Sequence, residues 1–274
     1  MTYQHIRVEP IAAALGAEIS GVNLALQLDD ATEREIHDAL MQHQVIFFRD
    51  QHVSAQQHKD FARHFGDLHV HPVLPSLQDQ GHPEIVVLES NADVPYVAET
   101  WHSDVTFERQ PPLGSVLRAV VVPDAGGDTL WSSMYAAYDA LSDTMQQFLG
   151  TLHAKHDGGA FRAIATEEQK RELGKDQSAV HPVIRTHPVT GRKGIYVNSA
   201  FTKRIEGMKR AESNALLQFL YEHVGSVEFT CRFRWRPNSI AMWDNRCTQH
   251  RVVTDNVRAH RRMERVTICG DAPF

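Results

Sequence analysis

Strand signals in this chain are spaced too irregularly against its helix signals for a repeating strand–helix–strand fold. Short runs rich in β-branched and aromatic residues predict strands at Val45–Phe48, Glu84–Leu88, Ser115–Val122, Gly194–Val197, Val227–Trp235, Ile240–Trp243 and Arg265–Cys269. Three helices are read among them. The first begins near Asp30, with Glu33 three residues on as a capping box, and buries Ile36, Ala39 and Leu40. The second begins at Ser54 with Gln57 as its box partner, carries Phe61, Ala62 and Phe65 on one face, and stops at Gly66. The third, about Ala211–Val224, presents Leu216, Leu217, Leu220 and Val224 at helical spacing. This order predicts a mixed, mainly β fold with a double-stranded β-helix (jelly roll) core and flanking α-helices. No repeat period, low-complexity tract or long Pro/Gly/Ser linker divides the chain, so a single domain over residues 1–274 is the economical reading.

Composition narrows the function classes. A net charge of -6 and a pI near 6.3 argue against a sequence-independent nucleic-acid binder, which needs a basic face to displace counterions. A small-molecule partner fits better. Cys231, Cys247 and Cys269 are odd in number and lack C-x-x-C spacing, so they give neither a disulfide framework nor a cysteine metal site. A reducing compartment, the cytoplasm, is the expected setting. The first ten residues hold no signal-peptide core, and no later run approaches the ~20 apolar residues of a membrane span. With 17 histidines in the chain, no single histidine is informative by itself.

A histidine and an aspartate two residues apart face the same way on a strand, and supply two of the three ligands of a facial metal triad. Chance gives about one such pair in a chain this rich in histidine, and two occur here. His58 and Asp60 lie inside the helix from Ser54, where positions i and i+2 diverge by ~200°. His102 and Asp104 lie in the aromatic and β-branched stretch Trp101–Phe107, read as extended, where both would share a face. The third ligand must come from far along the chain. His250 fits, at the end of Trp243–His250, a strand followed by polar turn residues. Two histidines and a carboxylate leave adjacent positions of an octahedral ion open, as an iron(II) oxygenase requires. Arg261, eleven residues after His250, could meet the carboxylate of a chelating co-substrate with two parallel hydrogen bonds. The same arginine could equally belong to a solvated basic stretch with Arg258, Arg262 and Arg265.

At these residues the sequence resembles the taurine dioxygenase family, which includes alkylsulfatases and aryloxyalkanoate dioxygenases. The matching stretches are Phe65 to Pro72, Trp101 to Phe107, Gly126 to Trp131, Arg185 to Pro188 and Trp243 to His250, and the likeness runs from about Gly16 to the C-terminus. The resemblance implies Fe(2+) held by His102, Asp104 and His250. It also implies 2-oxoglutarate held by Arg261 and Thr129, with O2 as the oxidant. It implies a small anionic organic substrate whose head group meets His71 and Arg265, in a pocket lined by residues such as Leu74, Val105 and Phe201. Succinate and CO2 would be released as the substrate carbon beside the heteroatom is hydroxylated, and the product would break to a carbonyl compound plus sulfite, sulfate or phenol. Family members often self-associate, which by analogy makes a homo-oligomer an expectation here.

The match departs from the taurine enzymes at Ala98, where they carry asparagine, and at Gly158, where they carry phenylalanine. Both changes predict room opposite the head group. Ser133 to Tyr135, Arg192 to Gly194 and Arg204 to Met208 look more like the aryloxypropionate-degrading branch. Two other classes stay open on the residues alone: a zinc hydrolase using His69 and His71 as a cofacial pair, and a non-catalytic jelly-roll binding protein.

Overall fold

The protein is described by a computed structural model that covers residues 3–94, 98–172 and 177–274. Two short strands, β1 (Arg7–Pro10) and β2 (Ala17–Ser20), open the chain. Helix α1 (Asp30–His43) follows, buries Ile36, Ala39 and Leu40, and is capped by Asp29, whose side chain accepts from Thr32 N at 2.7 Å. The expected box between Asp30 and Glu33 therefore does not form, and Glu33 instead meets His64 Nδ1 at 2.8 Å. Strand β3 (Val45–Phe48) leads to α2 (Ala55–Arg63), where the Ser54–Gln57 capping box is present. Next come β4 (Leu68–His69), β5 (Ser76–Leu77), β6 (His82–Ser90), β7 (Gly114–Val121) and β8 (Thr129–Ser133). Helices α3 (Met134–Asp139) and α4 (Asp143–Leu149) precede β9 (His153–Asp157), α5 (Gly159–Ile164) and α6 (Glu167–Glu172). Strands β10 (Ser178–Pro182), β11 (Ile184–Thr186), β12 (Lys193–Ile195) and β13 (Thr202–Ile205) lead to α7 (Arg210–Val224). The chain closes with β14 (Thr230–Phe233), β15 (Ile240–Asp244), β16 (Thr248–Val252) and β17 (Arg261–Ile268).

The fold is mixed and mainly β. Its largest sheet runs β1-β2-β3-β15-β7-β17-β6-β5, with β4 added beside β17, and it joins the first strands of the chain to the last. A three-stranded sheet, β14-β8-β16, lies against it. The period of two along each strand sends alternate residues to two different cores. Ile46, Phe48, Ile240, Met242, Val266 and Ile268 pack against α1 and α2, whereas Val45, Phe47, Ala241, Trp243 and Met263 meet Trp131, Cys231 and Phe233 of the smaller sheet. Phe47 stacks on Phe233 with ring centroids 4.0 Å apart. A further core joins α3, α7 and β13, where Leu217, Leu220 and Val224 are buried. The three-stranded sheet β10-β9-β13 and the pair β11-β12 complete the molecule.

Differences from the sequence reading have local causes. The last strand starts at Arg261, four residues early, because polar Arg262 and Glu264 alternate with inward residues and hide the strand in a charged run. The expected strand from Val227 begins as a 3-10 turn, Val227–Phe229, and pairs only from Thr230. Strands β8 and β16 were not expected, since Thr, Ser and Gln at their positions resemble a loop composition.

His58 lies wholly inside this frame, with Nε2 3.0 Å from the Val116 carbonyl, and burial pushes its pKa down from 6.5 to about 4. An unfolded chain therefore takes up this proton first as the pH falls, so stability present above the unfolded value is lost as pH drops toward the folded one. Urea unfolding of wild type and H58N between about pH 7 and pH 5 checks this: the variant should be less stable at neutral pH yet lose stability less steeply on acidification. Parallel curves would contradict the assignment.

Candidate metal centre

His250 sits on β16 opposite Trp131 of β8, and paired positions in an antiparallel ladder share a face, so both rings enter the space between the sheets. The His250 ring lies 4.7 Å from Trp243 and 6.4 Å from Trp131 by centroid. His102 joins it through an isolated bridge, with His102 N donating to His250 O at 3.1 Å and His250 N to His102 O at 2.8 Å. Beyond this bridge the chain leaves the extended form. Residues 104–107 form a turn, in which Val105 has φ 50°, and Ser103 Oγ donates to Thr248 O at 2.6 Å. The expectation of a strand carrying His102 and Asp104 on one face is therefore corrected: the turn, not a pleat, swings Asp104 back toward the histidines.

The convergence is close. One ligand atom each from His102, Asp104 and His250 lies within 4.8 Å of the others, and all three residues are buried. Asp104 Oδ1 is 3.9 Å from Nε2 of either histidine. Its second oxygen accepts from Ser115 Oγ at 2.9 Å and from Asn245 Nδ2 at 3.3 Å. His102 Nδ1 faces the Thr100 carbonyl at 2.8 Å, so Nδ1 carries the proton and the Nε2 lone pair points at the common centre. Burial would raise the Asp104 pKa, but the Arg265 guanidinium and the Ser115 hydroxyl hold this carboxyl well below the usual range. Burial lowers the pKa of both histidines, and His102 adds to the effect on His250. A deprotonated carboxylate and two neutral imidazoles are the donor set that a divalent first-row metal takes in a facial triad.

The triad lines a cavity of about 370 Å³. Each other residue expected in the site also borders it: His71, Val105, Thr129, Phe201, Arg261 and Arg265. Alternation on β17 explains the two arginines, because Arg261 and Arg265 face the cavity and Met263 the core beside it, while Arg262 turns outward to Glu89 and Glu264 at 3.3 and 3.7 Å. Arg265 reaches Asp104 Oδ1 at 2.7 Å with Nη1, and its buried Nε has no partner among the described residues. His71 Nδ1 accepts from Val73 N and Leu74 N at 3.2 and 3.0 Å. Nε2 therefore carries the proton, and that buried donor also lacks a partner among the described residues. Burial, with Arg265 and His69 nearby, pushes the His71 pKa down to about 3, so the ring is neutral. Trp235 Nε1 donates to Thr129 Oγ1 at 2.9 Å, which leaves the hydroxyl hydrogen of Thr129 to be given elsewhere.

Some expectations fail here. Ala98 borders the cavity, but Gly158 does not open it, since a Cβ there would lie 2.6 Å from the Phe107 ring. Phe107 fills that room. His69 and His71 are not cofacial on a strand: β4 ends at His69, their rings stand 6.1 Å apart at 77°, and no third ligand group joins them among the described residues. His187, Asp244 and Cys247 do cluster, yet Asp244 is already bound by Arg246 at 2.6 Å and by His187 at 3.0 Å. Sequence reasoning missed Ser115, Asn245 and Trp235, whose roles depend on partners more than a hundred residues away in two of the three cases. Their inward parity on β7 and beside β15 was the one available signal.

A sequence model of the family described as "Taurine catabolism dioxygenase TauD, TfdA family" matches residues 7–267. The chain belongs to this family. It is 36% identical over 278 residues to an alkylsulfatase of Acinetobacter baylyi, covering 98% of this chain and 86% of that protein. It is likewise 36% identical over 276 residues to an alpha-ketoglutarate-dependent sulfate ester dioxygenase of Pseudomonas putida, covering 97% and 90%. The crystal structure of a taurine dioxygenase from Burkholderia xenovorans matches with a TM-score of 0.85 at 36% identity, covering 98% of this chain and 91% of that one. This TauD, TfdA member is thus an oxidoreductase, a dioxygenase dependent on 2-oxoglutarate (alpha-ketoglutarate). None of its helices, among the described residues, is long and apolar enough to cross a membrane.

If His102, Asp104 and His250 hold the metal, removing one of the three should abolish specific uptake. Titration with Co(II), followed in the visible, is expected to show no specific binding to H102A or D104A. H58N should bind as wild type does, because His58 lies on the far side of β7 from the triad. Equal losses in H58N and H102A would mean that the centre lies elsewhere.

Proposed function

We propose that this enzyme is an iron(II)- and 2-oxoglutarate-dependent dioxygenase that hydroxylates a sulfate ester or sulfonate beside its heteroatom, releasing succinate and CO2. The observation that carries the reading is the buried His102, Asp104 and His250 triad at the wall of a cavity lined by both cationic and neutral donors and apolar groups. Iron(II), when bound, supplies the activation of O2 and the oxidation of the substrate C–H bond. The chain supplies position, charge and dryness. Arg261 and the Thr129 hydroxyl, fixed by Trp235, hold the distal carboxylate of 2-oxoglutarate. The His71 Nε2–H and Arg265 receive the substrate's anionic head, and Val105, Phe161 and Phe201 wall its tail from water. We take the two facing sheets as a jelly roll. Because the large sheet unites β1 with β17, we read residues 1–274 as one domain. The three free cysteines support a cytoplasmic setting.

Leu74, Ala98, Phe161 and Ile164 add apolar lining to the cavity, and Ile164 is 68% exposed, which places apolar surface at the mouth. A substrate with an apolar chain or ring gains contacts there that taurine, with its charged amine, lacks. The aromatic wall of Phe161 and Phe201 also suits an aryloxyalkanoate, the second reading. Succinate formation across a panel of taurine, alkyl sulfates, alkyl sulfonates and aryloxyalkanoates tests this: an apolar-tailed anion should show a higher kcat/KM than taurine. Taurine outperforming every bulkier anion would sink the substrate reading.

Arg261 and Arg262 give a sharper test of the co-substrate site. Loss of a buried charged pair costs about 2 to 5 kcal/mol, so R261A should raise the KM for 2-oxoglutarate by well over tenfold with less effect on that for the sulfur substrate. R262A, which removes an outward ion pair, should change neither by much. Reversed effects would place the outward face of β17 in the pocket.

A further inference from the structure

The turn that carries Asp104 is strained. Val105, a β-branched residue, holds φ 50°, a left-handed conformation that such side chains rarely adopt and that persists only where the surroundings fix it from both flanks. The flank before it is held by the His102 bridge, by Ser103 on Thr248 O at 2.6 Å, and by Asp104 N on Asn245 Oδ1 at 3.3 Å. The flank after it enters a different part of the molecule. Thr106 is fully buried, and its Oγ1 accepts from Asn198 Nδ2 at 3.0 Å and lies 2.9 Å from His156 Nδ1. Its carbonyl meets His181 Nε2 at 3.0 Å.

We propose that Asn198 and His156 are positioning residues for the metal ligand Asp104, acting through the Thr106 hydroxyl. The proposal rests on the reading of the triad as a metal centre. The amide end of the network has a fixed polarity. Asn198 Oδ1 accepts from Phe201 N at 2.9 Å, so the opposite end of the amide is the NH2 group that donates to Thr106. Thr106 Oγ1 accepts there and also meets His156 Nδ1, which lies 3.4 Å from Thr202 Oγ1 as well. Asn198 N also donates to Thr202 Oγ1 at 3.0 Å. Thr106 is thus gripped by the sheet β10-β9-β13, through His156 on β9 and His181 on β10, while His102 is gripped by β16. If the second grip is released, Val105 can relax to negative φ, and Asp104 leaves the point 3.9 Å from each imidazole. The same amide orders Phe201, which packs 6.3 Å from the His102 ring, so one side chain ties the ligand turn to the cavity wall.

T106V keeps the β-branched shape and removes the hydroxyl; T106S keeps the hydroxyl. Titration with Co(II) alone, followed by its visible absorbance, reads the site without turnover. Groups that orient metal ligands typically contribute about 10- to 100-fold in affinity, so T106V and N198A should bind Co(II) at least about tenfold more weakly. T106S should stay within about threefold of wild type. L220A, in the separate α7 core, should lower the thermal midpoint without weakening Co(II) binding, which separates positioning from general stability. N198A carries the test if T106V does not fold. Folded T106V and N198A with wild-type Co(II) affinity would overturn the proposal alone, as would equal weakening in L220A. A wild-type protein that takes up no Co(II) would overturn the metal reading and this proposal with it.

Discussion

Two backbone hydrogen bonds between His102 and His250, at 3.1 and 2.8 Å, join a segment with no strand of its own to the end of the small sheet. Everything in the candidate site is arranged about that bridge. It places two imidazoles with centroids 4.2 Å apart, and it fixes where the following turn must bring a carboxylate. The neighbouring strands then add their inward residues by parity: Ser115 from β7, Trp131 from β8, Arg261 and Arg265 from β17. A backbone contact between residues 148 positions apart thus sets the chemistry, while the hydrophobic cores on either side of the large sheet hold the backbone rigid enough for that contact to persist.

Much of the frame was legible in the sequence because its elements carry local signals. Val45–Phe48, the Ser54–Gln57 box and the leucines of α7 each announce themselves within one or two turns or a single short run. The triad was legible by its residue types, and the matching stretches fixed which histidines to choose from the 17 present. The wrong step was geometric. Trp101–Phe107 has a strand's composition, yet only His102 pairs, because the hydrogen bonds that bend the chain at Val105 come from Asn245, Asn198 and His181, far away in sequence. β8 and β16 were hidden for a related reason: in the interior of a site, serine, threonine and glutamine replace the aliphatic residues by which buried strands are recognised. An absent side chain at Gly158 leaves no empty volume, because Phe107 occupies it.

The charges around the triad include those of one carboxylate and two guanidiniums, Asp104 with Arg261 and Arg265. Asp104 Oδ1 faces both histidines and also accepts from Arg265 at 2.7 Å. The guanidinium thereby stabilises the deprotonated carboxylate, while its Nε, without a partner among the described residues, adds to the positive field of the cavity. His71 contributes a donor without a charge, its tautomer fixed by two backbone amides. On the proposed function, an anionic head group meets the Arg265 charge and one neutral N–H, with Arg261 left to the co-substrate.

The alternation along β17 has a consequence for how this chain can change over time. Odd-numbered positions carry Arg261, Met263, Arg265 and Thr267 inward, and even-numbered ones carry Arg262, Glu264, Val266 and Ile268 to the opposite face, where Val266 and Ile268 meet the helices. A one-residue slip in the pairing register of the strand would exchange the two sets wholesale. Slipped so that Glu264 takes the place of Arg265, the strand would set a second carboxylate against Asp104 and carry Arg265 and Thr267 into the helix-facing core. Residues 253–260 lie outside every strand and can change in length without that slip, whereas an insertion between Arg261 and Arg265 cannot. The spacing of the two arginines is thereby fixed, and the loop before them is free.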